Sequence, residues 1–262
     1  MNTLKPYAAL CAQLVIIDLT VFKQGFLDKL INLTIWVILS LIVTAYVMPL
    51  FGLQANFGMF QYAAMVGAAG LFSMYVSVVE FISDLEGDRI INFYLTLPIP
   101  SWVVLISKAL YYFIIYFIFA VLTLPMGKLA LWHEFDLTNF SYAKLLIILV
   151  AQNIFYAGFV LWATSKVPNI MQAENIWMRY IFPMWFMGGF QFSWHALYEA
   201  IPILAYINLL NPMIYITEAA RVAMLGQEGY LNFWACIGVI LIFSAFWFIM
   251  GMRNLKHRLD YV

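Results

Sequence analysis

The chain has 262 residues, of which 65% are hydrophobic and 10% charged, with thirteen basic and thirteen acidic side chains. A soluble fold of this size carries about 25% charged residues, so an ordinary water-soluble domain is excluded. A formal net charge of zero, without a basic block, excludes a nucleic-acid footprint. Lipid is the chain's main solvent.

The first 30 residues begin with Lys5 ahead of an apolar run from Tyr7 to Ile17, but no small-x-small cleavage site follows, so they do not read as a signal peptide. At about 100° per residue, Gln13, Thr20, Lys23, Gln24 and Asp28 share one arc while Leu14, Ile17, Phe22 and Leu27 take the rest. That pattern predicts an amphipathic interfacial helix over 1–30. Asp18 and Lys29 break the arc.

Residues 30–79 contain no charged side chain, which is room for two spans of roughly 20 residues each. The stretch from Gly52 to Asn56 is the turn between them. Further uncharged runs bring the predicted spans to six: 31–52, 57–79, 102–124, 142–164, 174–194 and 229–252. Between the last two, Pro202 and Pro212 interrupt the apolar pattern. A helix broken at membrane depth survives only where protein or water satisfies its backbone, so 195–228 is expected to be a re-entrant segment, the alternative being a seventh, kinked span. Of the thirteen basic residues, only Lys128, Lys144 and Arg221 fall on the side opposite the rest. The positive-inside rule then puts both termini in the cytosol, with 125–141 and 195–228 outside.

Soluble-enzyme motifs are missing: there is no GxxxxGK[ST] phosphate loop, no HExxH and no GxSxG. His133, Glu134 and Asp136 lack a second histidine, and His195 with Glu199 makes two ligands without a third, which is a poor metal site. Cys11 and Cys236 lie in distant segments and form no metal motif. No catalytic residue, metal site or bound cofactor is expected in this chain.

The informative loop is 80–101. It carries Glu80, Asp84, Glu86, Asp88 and Arg89 around Gly87, then an apolar half ending in Pro98-Ile99-Pro100. A plain connector needs only a few polar residues, so this loop is expected to lie on the membrane surface and face a cytosolic partner. Asp84, Glu86, Asp88 and Arg89 would steer that partner, and Phe81, Leu85 and Ile90 would anchor it. Gly87 would allow a turn or a close backbone approach.

The loop pattern Glu80, Glu86-Gly87-Asp88-Arg89, Leu95-Thr96-Leu97-Pro98 and Lys108 resembles the acidic, Arg- and Gly-containing loop of the membrane subunits of type-2 ABC exporters. The segment Asn211-Pro212, Tyr215, Glu218, Arg221 and Leu225-Gly226 is similar to the stretch before that family's last span. The order of Arg and Gly in the loop departs from many relatives. The resemblance covers nearly the whole chain as one ABC-2 type transmembrane domain, residues 1–262. It implies an all-α polytopic membrane protein with six transmembrane helices, a coupling helix between spans two and three and a re-entrant helical segment before the last span. It also implies a second permease copy as homodimer or related heterodimer, and a separate ABC ATPase subunit that binds ATP and magnesium. The setting it implies is a bacterial inner membrane.

Glu218 and Arg221, three apart, would share a helical face and compensate each other in a desolvated element. Trp185, Phe186 and Phe190, in an aromatic-rich fifth span, would line a path for a glycan, a lipid-linked or an amphipathic substrate, while interfacial belts and lipid-facing packing explain the same composition. A secondary carrier needs ionisable groups near the midplane, yet nearly all charges sit at span ends. A membrane-embedded enzyme needs reacting groups within reach of each other, and no such set is visible. A structural assembly factor without transport fits the same residues.

Overall fold

The computed structural model describes residues 4–52, 57–87, 90–96, 99–132 and 138–260. Every long element is helical: α1 (Leu4–Ile42), α2 (Phe57–Gly67), α3 (Leu71–Glu86), α4 (Ile90–Thr96), α5 (Ser101–Ala130) and α6 (Tyr142–Lys166) in the first part of the chain. Then come α7 (Glu174–Ile176), α8 (Phe182–Phe186), α9 (Trp194–Ala200), α10 (Pro202–Asn208), α11 (Pro212–Leu225) and α12 (Phe233–Asp260). Among the described residues, five stretches are long and apolar enough to cross a membrane: Tyr7–Phe51, Phe57–Glu86, Ser101–Ala130, Tyr142–Lys166 and Phe233–Arg258.

Two boundaries differ from expectation. No break separates an interfacial helix from the first span, since α1 runs unbroken for 39 residues, about 58 Å at 1.5 Å per residue. That is roughly twice a hydrocarbon core. The two charges that spoiled the amphipathic arc explain the continuity. Asp18 accepts from Lys108 Nζ of α5 at 2.9 Å, and Lys29 pairs with Glu80 of α3 at 2.9 Å. The polar arc of Gln13, Thr20, Lys23, Gln24 and Asp28 stays exposed, and the apolar side, which carries these two charges beside Leu14 and Phe22, docks on its neighbours. The second difference is 174–194, which is not one long helix. A turn with wider hydrogen-bond spacing, Trp177–Ile181, links α7 to α8, and after Phe186 the chain turns through Gly189 at φ +70°.

The bundle has two distinct ends. α1 runs parallel to α5, from the Tyr7–Trp102 ring contact at 5.8 Å to the Tyr46 hydroxyl, which donates to the Ala130 carbonyl at 2.8 Å. α6 and α12 pack closely, because glycine permits it: a Cβ on Gly251 would lie 2.8 Å from the Trp162 nitrogen, the small-residue packing of helices in membranes. The α2–α3 crossing is kinked at residues 68–70. There the Tyr156 ring fills the space a Gly70 side chain would need, and its hydroxyl donates to the Gly67 carbonyl left free by the kink. One end, called here the α4 end, gathers the C-termini of α3, α6 and α12 and the N-terminus of α5. Arg258 there donates to the carbonyls of Thr164, Val167 and Pro168. The other, the α11 end, gathers the starts of α2, α6 and α12 around α11.

Candidate coupling surface and buried ion pair

At the α4 end, two acids of the 80–101 loop turn out to be braces. The Asp84 carboxylate accepts from the backbone N–H of Ile90 and of Ile91, both at 3.1 Å. Those are first-turn donors of α4 that have no partner within the helix, so Asp84 fixes where α4 starts. Glu86 accepts from the Ile170 N–H at 3.2 Å, at the tight turn Ile170–Gln172 that follows α6. α4 then buries Ile91 and Tyr94. Burial, with the Asp18 and Asp84 charges nearby, pushes the Tyr94 hydroxyl above its ordinary pKa.

The outward face is apolar: Ile90 is 45% exposed, Phe93 61% and Met171 88%. Phe81, expected among the anchors, is not available, because it is buried and packs 6.3 Å from Tyr112. Leu85 is half-buried against the core. Gly87 is exposed at the end of α3, where its N–H donates to the Ser83 carbonyl and a Cβ would meet that carbonyl at 3.0 Å. Asp88 and Arg89 lie outside the described residues, as does the 133–137 stretch.

At the α11 end, Pro202 and Pro212 do break the chain, each standing at the start of a helix. Trp194 Nε1 donates to the Ala205 carbonyl at 2.9 Å, pinning α9 to α10. α11 is enclosed, and at its centre Glu218 and Arg221 are both fully buried. Arg221 Nη1 stands 3.5 Å from Glu218 Oε1. That contact is the longest of its polar contacts. The guanidinium also donates to the carbonyls of Phe192 and Phe190 at 3.1 Å, to Gly189, and to Phe60 of α2 at 3.4 Å. It lies 3.6 Å from the Phe60 ring centre. Glu218 accepts from the N–H of Trp194 at 3.0 Å and of Leu231 at 2.9 Å.

Burial lowers the Arg221 guanidinium below its ordinary range, opposed by Glu218. Burial likewise raises Glu218, against Arg221 and the two N–H donors. The spacing of this pair was legible in the sequence; the four backbone carbonyls, supplied by segments that carry no charge pattern, were not.

Trp185 is brought into a ring cluster with Phe72 at 5.6 Å and Phe190 at 6.4 Å, and Phe190 is buried beside Trp36. Phe186 sits at the outside of the cluster, 52% exposed. None of the three lines the nearby cavity of about 360 Å³ between α1, α3 and α5; Trp36, Phe72, Ser77 and Tyr116 do. No sequence signal pointed to those four, nor to the pairing of Asp18 with Lys108 and of Lys29 with Glu80. The two breaks in the α1 arc marked Asp18 and Lys29, and the loop pattern marked Lys108.

The family model described as ABC-2 type transporter matches residues 20–225, from within α1 through the end of α11. The chain belongs to that family. It is a multi-pass membrane protein and the permease component of an ABC-type transporter, not itself an ATPase, and the family implies association with an ABC ATPase subunit. Both the braced α4 surface and the Glu218–Arg221 pair of this ABC-2 permease lie inside the matched range. No curated protein matches the chain.

Proposed function

We propose that this permease is the membrane half of an exporter that moves a glycan, a lipid-linked or an amphipathic substrate, driven by ATP hydrolysed on a separate subunit docked at the α4 end. ATP and magnesium belong to that subunit. The observation that carries the reading is α4 itself, a short helix fixed to α3 by Asp84 with Ile90 and Phe93 turned outward. A helix braced on one face and apolar on the other suits transmission of a push, because its anchor is rigid and its free face can fill a groove. The exposed Met171, tied to α3 through Glu86 and Ile170, extends the same surface.

Six crossings and cytosolic termini complete the reading. α6 ends at the α4 end and α12 starts at the other, so the chain between Ile170, bonded to Glu86, and Phe192, bonded to Arg221, travels from one end to the other. That discontinuous stretch serves as the sixth crossing, and the 195–228 helices as the re-entrant element. With an even number of crossings both termini stand on the ATPase side of a bacterial inner membrane. A second permease copy, identical or related, completes the pathway. The substrate route runs along the Trp36, Phe72 and Trp185 rings, whose faces suit sugar or apolar cargo.

The test is reconstitution of the permease with its ATPase in liposomes. Phe93→Asp places a charge in the docking face without touching the core, and is expected to abolish co-purification and ATP-driven export while expression and melting temperature stay at wild-type values. Wild-type export and partner retention in Phe93→Asp would remove α4 from the coupling surface. Leu85→Asp is a poorer probe, since Leu85 packs on the core and its loss of function would mix unfolding with uncoupling.

A further inference from the structure

The C-terminal turns of α12, outside the family match, carry an unassigned site. Ile242, Phe246 and Ile249 are exposed along one face of the helix, and the same three-and-four spacing continues through Arg253 and Lys256, which are exposed too. An outward apolar stripe that changes to cations marks where hydrocarbon gives way to headgroups. At this level a groove of about 420 Å³ opens between the start of α5 and α12, lined by Trp102, Leu105, Phe248 and Met252 and closed by Arg253 and Lys256. Arg258, one turn further on, is engaged on three carbonyls. Neither Arg253 nor Lys256 has an ion pair or hydrogen bond among the described residues. The N-terminus of α5, where Ser101 also lines the groove, adds the positive end of a 30-residue helix.

We propose that this groove binds an anionic phospholipid. An acyl chain lies in the slot between Leu105, Phe248 and Met252, the phosphate sits on Arg253 and Lys256, and Trp102 occupies the interfacial level between them. Charge complementarity selects the headgroup: two cations without a partner among the described residues attract a net-negative lipid and repel the amine or choline of a zwitterionic one. The apolar stripe selects a lipid over a soluble anion, because it continues the slot into the bilayer. The inference requires only that the chain is membrane-embedded, not that it exports or couples to ATP.

The test counts bound lipid by native mass spectrometry on the full chain in detergent, titrated with phosphatidylglycerol or phosphatidylcholine. The wild type is expected to prefer phosphatidylglycerol by about tenfold, and Arg253→Gln/Lys256→Gln to bring that ratio within about twofold. Arg253→Lys/Lys256→Arg should keep the preference. Met252→Trp, which fills the slot and leaves both cations, should lower occupancy by phosphatidylglycerol, and it decides the matter if the glutamine double variant does not fold. Lys166→Gln removes an exposed cation elsewhere at the same end and should change nothing. An unchanged preference in the glutamine variant, full occupancy in Met252→Trp, an equal loss in Lys166→Gln, or displacement of the lipid by glycerol phosphate would each overturn the proposal, the last by making the site one for a free anion.

Discussion

The two ends of this permease use charge in opposite ways. At the α11 end one ion pair is sealed from solvent and its cation is held mostly by backbone carbonyls of segments 29 to 161 residues distant in sequence. Toward the α4 end the Asp18–Lys108 pair is mostly buried and Lys29–Glu80 is open to solvent, and the acids Asp84 and Glu86 accept from backbone N–H groups at the starts of short helical turns. The contrast teaches that a charge here is valued by the irregular backbone it satisfies. Arg221 closes a region of turns and short helices that could not otherwise be enclosed without unsatisfied carbonyls. Asp84 and Glu86 shape a surface that stays open.

The largest effect should follow from breaking the enclosed pair. Arg221→Ala strands Glu218 and four carbonyls and is expected to cost about 3–5 kcal/mol, seen as loss of monodisperse protein in size-exclusion chromatography. Arg221→Lys keeps the charge but not the planar fork and should retain an intermediate yield. Equal, wild-type yields of both variants would erase the contrast between the ends.

A smaller effect is expected at Asp18–Lys108, whose side chains are 12% and 14% exposed. One Asp18 oxygen has no hydrogen-bond partner among the described residues, so Lys108→Ala leaves a largely buried carboxylate alone. A loss of about 1–3 kcal/mol, read as a lower melting temperature, is expected, with Asp18→Asn/Lys108→Ala recovering part of it. The smallest belongs to Lys29–Glu80, 35% and 46% exposed, where Lys29→Ala should change stability by no more than about 1 kcal/mol. A larger fall at Lys29 than at Lys108 would show that exposure does not set the value of these pairs.

These differences explain what could be read in advance. Uncharged runs located five crossings because hydrocarbon forbids unpaired charge regardless of tertiary detail. Pro202 and Pro212 located the breaks around α10 because a missing N–H is a local property. The 174–194 stretch is not the regular span its apolar composition predicts: the turn at Gly189, whose carbonyl Arg221 holds, and the irregular turn at Trp177–Ile181 leave no mark in composition. Phe81 and Leu85 were assigned to the partner's surface because a loop was assumed to begin at Glu80. α3 in fact continues to Glu86, and its helical phase turns Phe81 inward.

In the proposed arrangement the α4 end faces the ATPase and the α11 end faces away. In a Cys11→Ser/Cys236→Ser background, single cysteines at Met171 and Gln227 can be labelled with a membrane-impermeant maleimide in intact cells and in inverted vesicles, with and without the ATPase subunit. The account predicts that Gln227→Cys reacts in intact cells, and that Met171→Cys reacts only in inverted vesicles and is protected when the ATPase is bound. Labelling of Met171→Cys from outside the cell, or protection of Gln227→Cys by the ATPase, would contradict it.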